Sequence, residues 1–388
     1  MNSRKEWIDG LRALAMLIVM TWHISNGINS QWLFSLITAP IMIPLFFSIT
    51  GYVFNDCEGN QKLFYTKLFK YLVFPWLCLA FLKGSINALI NRSFEYFLEY
   101  SSNLFTGSNL WYFPCCIIAE ILFFYNLKLS KKSLKLISIY SIILLMIGFI
   151  LKDYSFFDNL NISTAFICQL FLLIGLLIKN VDIKNVDIKK NSSVCTLFYI
   201  SIMLTTILNI LPLPISCYGI IPMDVHKNFF FSIPMCFSLI ITGNLAIFHV
   251  FKHIIHFPSI ISFIGQNTIV FYVFHYDTLR PFDIILSKLG FITPETWILV
   301  IIKLIYSILV CSCIALVFNK FLPQLVGKRN INNMLDISEK RFLAILPQIN
   351  FLLSLLIVFH HGFISIVRYN GSFFPFSYGL SIYRAISL

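Results

Sequence analysis

The sequence predicts an all-α fold: a polytopic membrane helix bundle with ten core transmembrane helices and an eleventh candidate at the C-terminus. Three observations lead there. Of 388 residues, 58% are hydrophobic and only 12% are charged, whereas soluble domains carry about a quarter charged residues. Residues 13–55 contain no Asp, Glu, Lys or Arg at all. The apolar runs are continuous rather than alternating, which argues against a closed barrel. The same composition excludes disordered, collagenous and disulfide-rich secreted classes.

A spanning helix needs about 20 mostly apolar residues. Such runs occur at 11–28, 34–54, 71–90, 109–127 and 134–151, then at 162–178, 194–211, 229–248, 259–275 and 297–318. A further run at 342–367 is the eleventh candidate. The first helix, which adds Asp9 ahead of this run to Arg12 and His23 within it, is followed by no small-x-small cleavage signature and reads as a retained helix. The second contains Pro40 and Pro44 and is expected to be broken.

The net charge of +12 has its explanation in topology. With the N-terminus inside, the inner segments hold 19 of the 29 basic residues, in clusters such as Lys62, Lys67 and Lys70, or Lys128, Lys131, Lys132 and Lys135. Cytoplasmic loops collect Lys and Arg in this way. The excess therefore implies a lipid bilayer as partner and no nucleic acid. Residues 1–320 read as one membrane domain, and 321–388 as a linker with an extra helix and tail. No soluble catalytic module is visible, so any chemistry belongs inside the bundle. The ten cysteines mostly lie in apolar runs and behave as small hydrophobes. His249, Lys252, His253 and His256 cluster in an inner loop, but no Cys, Asp or Glu completes a metal site there. No metal is expected.

Ionisable side chains inside a span are costly and mark function by default. The first helix has the richest set. Arg12 and His23, 11 positions apart, fall about 20° apart on one helical face and roughly 16 Å apart along the axis. Asp9 is within i,i+3 reach of Arg12. The stripe thus presents a carboxylate and guanidinium near the inner surface and an imidazole beyond the midplane. That spacing suits a long ligand with an anionic head. Elsewhere, Lys83 and Glu120 on consecutive spans are expected to pair with each other, and Lys303 to snorkel.

The segment from Trp7-Ile-Asp9-Gly-Leu-Arg12 through Trp22-His23 resembles the opening helix of the acyltransferase 3 family, whose signature is an Arg, ten residues and a His. Three later stretches resemble family segments in the same order. They are Phe46-Phe-Ser-Ile-Thr-Gly51-Tyr, Leu110-Trp111-Tyr-Phe, and Ile264-Gly265 through Tyr272-Val-Phe-His275. Two departures are visible: Lys67 and Lys70 stand where Arg residues are frequent before a Pro, and Glu120 lies nine residues beyond Trp111, farther than the usual Glu.

The resemblance implies a membrane-bound O-acyltransferase moving an acyl group, usually acetyl, from cytosolic acyl-CoA to a hydroxyl of a glycan. It implies acetyl-CoA as donor, a cell-envelope or exported polysaccharide, or a lipid-linked glycan, as acceptor, and the inner membrane of a bacterium as location. His23, with Arg12 and Asp9, would carry catalysis. Arg12, Lys67 and Lys70 would hold the CoA phosphates, and His275 and Trp111 the acceptor. Histidine suits a reaction whose hydroxyl nucleophile needs a base, and it can also carry the acyl group itself; both routes remain open. The competing readings are a transporter or flippase for a lipid-linked glycan, which would show repeats and paired broken helices, and a non-catalytic subunit of a polysaccharide assembly complex.

Overall fold

The structure, a computed structural model, describes residues 6–26, 28, 31–106, 109–152, 154, 159–183, 223–225, 229–230, 233–253, 256–288 and 296–326. Among these, the regular elements are helices apart from one two-residue antiparallel ladder, β1 (Met223–Asp224) with β2 (Phe229–Phe230). The helices are α1 (Glu6–Ile24), α2 (Gln31–Val53), α3 (Gln61–Leu68), α4 (Phe74–Asn91), α5 (Glu95–Phe105), α6 (Tyr112–Leu129) and α7 (Leu134–Leu151). They continue with α8 (Ile162–Ile167), α9 (Gln169–Ile183), α10 (Ile233–His253), α11 (Ser259–Gln266), α12 (Thr268–Phe274), α13 (Leu279–Lys288) and α14 (Trp297–Phe321).

Seven stretches among the described residues are long and apolar enough to cross a membrane: α1, Gln61–Asn91, α6, α7, Ile162–Val181, Cys236–His253 and α14. Ile37–Val53 of α2 is a shorter apolar stretch. The expected spans at 194–211 and 342–367, and nearly all of the segment 321–388, lie outside the described residues.

Two helix breaks fall elsewhere than expected. α2 runs through Pro40 and Pro44 without interruption. Within it the Thr38 and Thr50 hydroxyls donate to the Phe34 and Phe46 carbonyls at 2.7 and 3.0 Å, and α1 and α9 pack along it. Such support lets membrane helices tolerate proline. Pro75 does perturb its helix: Phe69–Val73 forms a π-turn joining α3 to α4, in which the Phe74 N–H reaches back five residues to the Phe69 carbonyl. The missing N–H of Pro75 is accommodated by this wider turn. The other break replaces the expected span 259–275 by two short helices, α11 and α12, meeting at Asn267. Its side chain donates to the Phe263 carbonyl at 2.7 Å and accepts from Asn319 of α14 at 2.9 Å.

Two close helix contacts set the frame. α2 and α9 pack closely, with Gly51 of the one and Gly175 of the other each set against the partner helix's backbone. A Cβ on Gly51 would collide with the Leu172 backbone, and one on Gly175 with the Ser48 carbonyl. The second contact is α1 against α11, where a Cβ on Gly265 would strike the Asp9 backbone. Small residues permit such approach, which van der Waals packing rewards in lipid. The core between these helices is filled by buried Phe47, Phe113, Phe123, Phe171 and Phe271. α7 lies outermost and leaves Ile142, Met146 and Ile150 exposed, as a lipid-facing helix does.

Candidate active site

The α1 stripe expected from the sequence faces inward. Arg12 lines a cavity of about 740 Å³ together with Val19, which sits two turns further along the same face. The other walls come from Ile43, Phe46, Ile49 and Thr50 of α2, Tyr71 and Leu72 of the π-turn, and Tyr112, Phe113, Cys116 and Glu120 of α6. Gly265 and Gln266 of α11, Thr268, Ile269 and Tyr272 of α12, and Val326 complete it. Its size is that of a small-molecule site, and its walls are mostly apolar with a few polar groups.

At the α11 end, Asp9 is 1% exposed and ties two helices together. One of its oxygens lies 3.7 Å from Arg12 Nη1 and the other accepts from Gln266 Nε2 at 3.2 Å. The pair fixes the guanidinium at the cavity wall. At the far end of α1, one turn beyond Val19, the ring of His23 lies 5.2 Å from that of His275. His275 is 5% exposed. Its Nδ1 sits 2.9 and 3.0 Å from the Phe271 and Tyr272 carbonyls. Carbonyls only accept, so Nδ1 carries the hydrogen and Nε2 offers a lone pair; that Nε2 is buried with no hydrogen-bond partner among the described residues. Asp224 of β1 lies within electrostatic reach of His23.

The remaining expected residues are dispersed. Lys67 Nζ contacts Cys57 Sγ at 3.3 Å, and Lys70 is exposed beside the Tyr71 ring. Neither belongs to the cavity lining, although Tyr71 and Leu72 immediately after Lys70 do. Trp111 caps α6 and packs edge-on to Tyr112, 6.2 Å between centroids. It also stands off the lining, whereas Tyr112 and Phe113 form part of it. Leu110 before it adopts a left-handed conformation at φ 51°, unusual for a bulky apolar residue. The turn delivers Tyr112 to the wall, where its N–H, one of the unpaired donors of a first helical turn, donates to Tyr272 Oη at 3.2 Å.

A family model described as an acyltransferase domain matches residues 5–316. The chain belongs to the acyltransferase 3 family. No curated protein matches it, and no solved structure does. This acyltransferase 3 chain is therefore a multi-pass membrane acyltransferase, and its four resembling segments meet in one place. The first supplies Arg12 and His23. Gly51 of the second and Gly265 of the fourth are both close-approach glycines, and the third starts the wall opposite Arg12.

Two expectations are corrected by the geometry. Lys83 does not pair with Glu120: its ammonium lies 3.1 Å from Asp277 and 3.0 Å from the Val273 carbonyl. Glu120 instead stands in the cavity wall of this acyltransferase, 3.8 Å from Cys116 Sγ. Lys303 does not snorkel; it is 6% exposed and pairs with Asp283 at 3.0 Å. Sequence reasoning assigned no site role to Glu120, Gln266, Tyr112 or Tyr272. The signal for Glu120 was present as a carboxylate in an uncharged run, but its companions declare themselves only once α6, α11 and α12 converge. The His249 and His253 rings, one turn apart, meet edge-on at 4.3 Å between centroids, and the described residues contain no group of three or more metal-type side chains.

Proposed function

We propose that this acyltransferase moves an acetyl group from cytosolic acetyl-CoA to a hydroxyl of a cell-envelope or exported polysaccharide, free or lipid-linked. The observation that carries the reading is the cavity that Arg12 and Val19 of α1 line, one turn short of the His23–His275 pair, which itself stands outside the lining. A guanidinium held by Asp9 at one end suits a phosphate through charge-assisted bonds. The apolar and aromatic walls suit the uncharged arm that bears the thioester. Lys70 at the rim, with Lys67 behind it, adds positive charge outside the lining. The charge distribution along the chain supports an N-terminus inside a bacterial inner membrane, with Arg12 toward the cytosol.

Two routes fit the residues. In the first, the acceptor hydroxyl attacks the thioester carbonyl while His23 takes its proton; the thiolate of CoA leaves and receives that proton. In the second, a ring nitrogen of His23 attacks the thioester and releases the thiolate. The hydroxyl then attacks the acyl-imidazole, and its proton ends on the thiolate. Purified protein in vesicles, given radiolabelled acetyl-CoA and polysaccharide, tests the reading. Label on the glycan supports it, and its absence with active donor overturns it.

The break at Asn267 gives the carrier reading a specific support, since discontinuous helices recur in transporters. Movement of a lipid-linked glycan across the vesicle membrane without transfer of label would favour that reading.

A further inference from the structure

The outer end of α1 carries groups that the cavity does not use. The rings of Trp22 and Tyr276 both stand edge-on to His23, with centroids at 5.0 Å and 80° and at 6.1 Å and 81°. Trp22 Nε1 donates to Ser35 Oγ at 3.2 Å, which fixes the indole. Tyr276 is 61% exposed although it directly follows buried His275. An interfacial aromatic that only anchors the bundle turns its ring to lipid; Tyr276 brings its ring to the imidazole instead. The His275 ring meets the same His23 imidazole, 5.2 Å between centroids, and its Nε2, across the ring from the Nδ1 that the carbonyls hold, is buried with no hydrogen-bond partner among the described residues. Leaving a buried acceptor unmatched is costly, and this one matches only a ligand that donates.

An exposed aromatic face next to a fixed acceptor is complementary to a sugar ring, which has an apolar C–H face and donating hydroxyls at its edge. We propose that Trp22 and Tyr276 are the walls of the acceptor subsite. They hold a pyranose ring beside His23 while one sugar hydroxyl donates to His275 Nε2. Tyr276 makes the subsite prefer a cyclic glycan over a linear alcohol. The proposal rests on the reading of the chain as a hydroxyl acyltransferase and deepens it by naming the acceptor's contacts.

The test uses the full chain in vesicles with oligosaccharides released from the host's surface polysaccharide, sorbitol as the linear alcohol, and acetyl-CoA. Hydrolysis of the thioester, which needs no sugar, serves as the fold control for each variant. Tyr276→Ala should raise the oligosaccharide KM about tenfold, the scale of one aromatic contact, and leave sorbitol transfer near the wild-type rate. Tyr276→Phe should behave as wild type, because the ring and not the hydroxyl does the binding. An unchanged oligosaccharide KM in Tyr276→Ala would overturn the subsite. So would a fall in thioester hydrolysis matching the fall in transfer, or a Phe variant as impaired as Ala. Equilibrium binding of the oligosaccharides without donor separates the two levels of the argument. Binding that Tyr276→Ala weakens tenfold, in a protein that transfers nothing, would keep the subsite and remove the acyltransferase reading.

Discussion

His23 and His275 face each other with ring centroids 5.2 Å apart, although 252 positions separate them in the chain. They meet because α1 packs on α11 at Gly265 and on α12 beyond it, so both helices run in the same direction to the same depth. His275 is locked with its hydrogen on Nδ1, which leaves His23 as the ring free to exchange a proton or an acyl group. His23→Ala is expected to lower acetyl transfer by about 10²–10⁴-fold, the usual contribution of a placed acid–base group, with unchanged abundance in the membrane. Quantifying glycan acetylation and protein level together checks this. Full activity in the variant would remove His23 from the mechanism.

Arg12 is expected to act on the donor alone. Arg12→Ala should raise the KM for acetyl-CoA about tenfold or more, because the cavity loses a guanidinium that Asp9 holds in place. Arg12→Lys should recover only part of that, since an ammonium offers no planar fork. Lys67→Ala and Lys70→Ala should have smaller effects, because neither side chain lines the cavity. Steady-state kinetics over a range of acetyl-CoA concentrations separates these cases. An effect of Lys70→Ala equal to that of Arg12→Ala would move the phosphate contact out to the rim.

Most of the spans were legible because hydropathy alone specifies them: a run of 20 apolar residues has few other stable environments. The inward stripe of α1 was legible from the helical period. Three features were not. Asn267 breaks a helix only because Asn319 of α14 supplies an alternative hydrogen bond, a tertiary fact invisible in an apolar run. Pro40 and Pro44 leave α2 intact because neighbouring helices hold it, so the local rule for proline fails there. Lys83 takes Asp277, just past the end of α12, because charge pairing follows spatial proximity and not the order of spans. Of the site, Arg12, His23 and His275 could be named from spacing and resemblance. Glu120 could be seen but not placed, and Trp22 and Tyr276 acquire meaning only from the angles of their rings.

The Gly51–Gly175 contact should be intolerant of any side chain. Each added Cβ meets backbone on the partner helix, which cannot rotate away as a side chain can. Gly175→Ala is expected to cost about 3 kcal/mol or more, at the upper end of overpacking effects. Gly59→Ala provides the comparison: no described residue lies within 4 Å of where its Cβ would stand, but its φ is +80°, so the cost is conformational, about 1 kcal/mol. Thermal unfolding of the detergent-solubilised variants ranks them. A Gly175→Ala protein as stable as wild type would mean that α2 and α9 lie farther apart.

Lys83 caps the end of α12 from a different helix. The last carbonyls of a helix lack intrahelical partners. Here the Val273 carbonyl receives the Lys83 ammonium at 3.0 Å, and the Phe271 and Tyr272 carbonyls receive His275 Nδ1. A cation at a helix C-terminus is also favoured by the helix dipole. Lys83→Met is therefore expected to destabilise the bundle by about 1–3 kcal/mol. This is less than for a fully buried pair, because Asp277 is 41% exposed and can rehydrate. Asp277→Asn should cost less still, since the Val273 bond remains. The two variants should differ in the same order in acyl transfer, because the residue after α12 is His275 and a loosened helix end misplaces its ring. Thermal unfolding and acceptor KM measured on both variants test the link. Equal loss of activity in the two, with unequal loss of stability, would show that Asp277 acts on the acceptor directly and that the cap on α12 is not what orients His275.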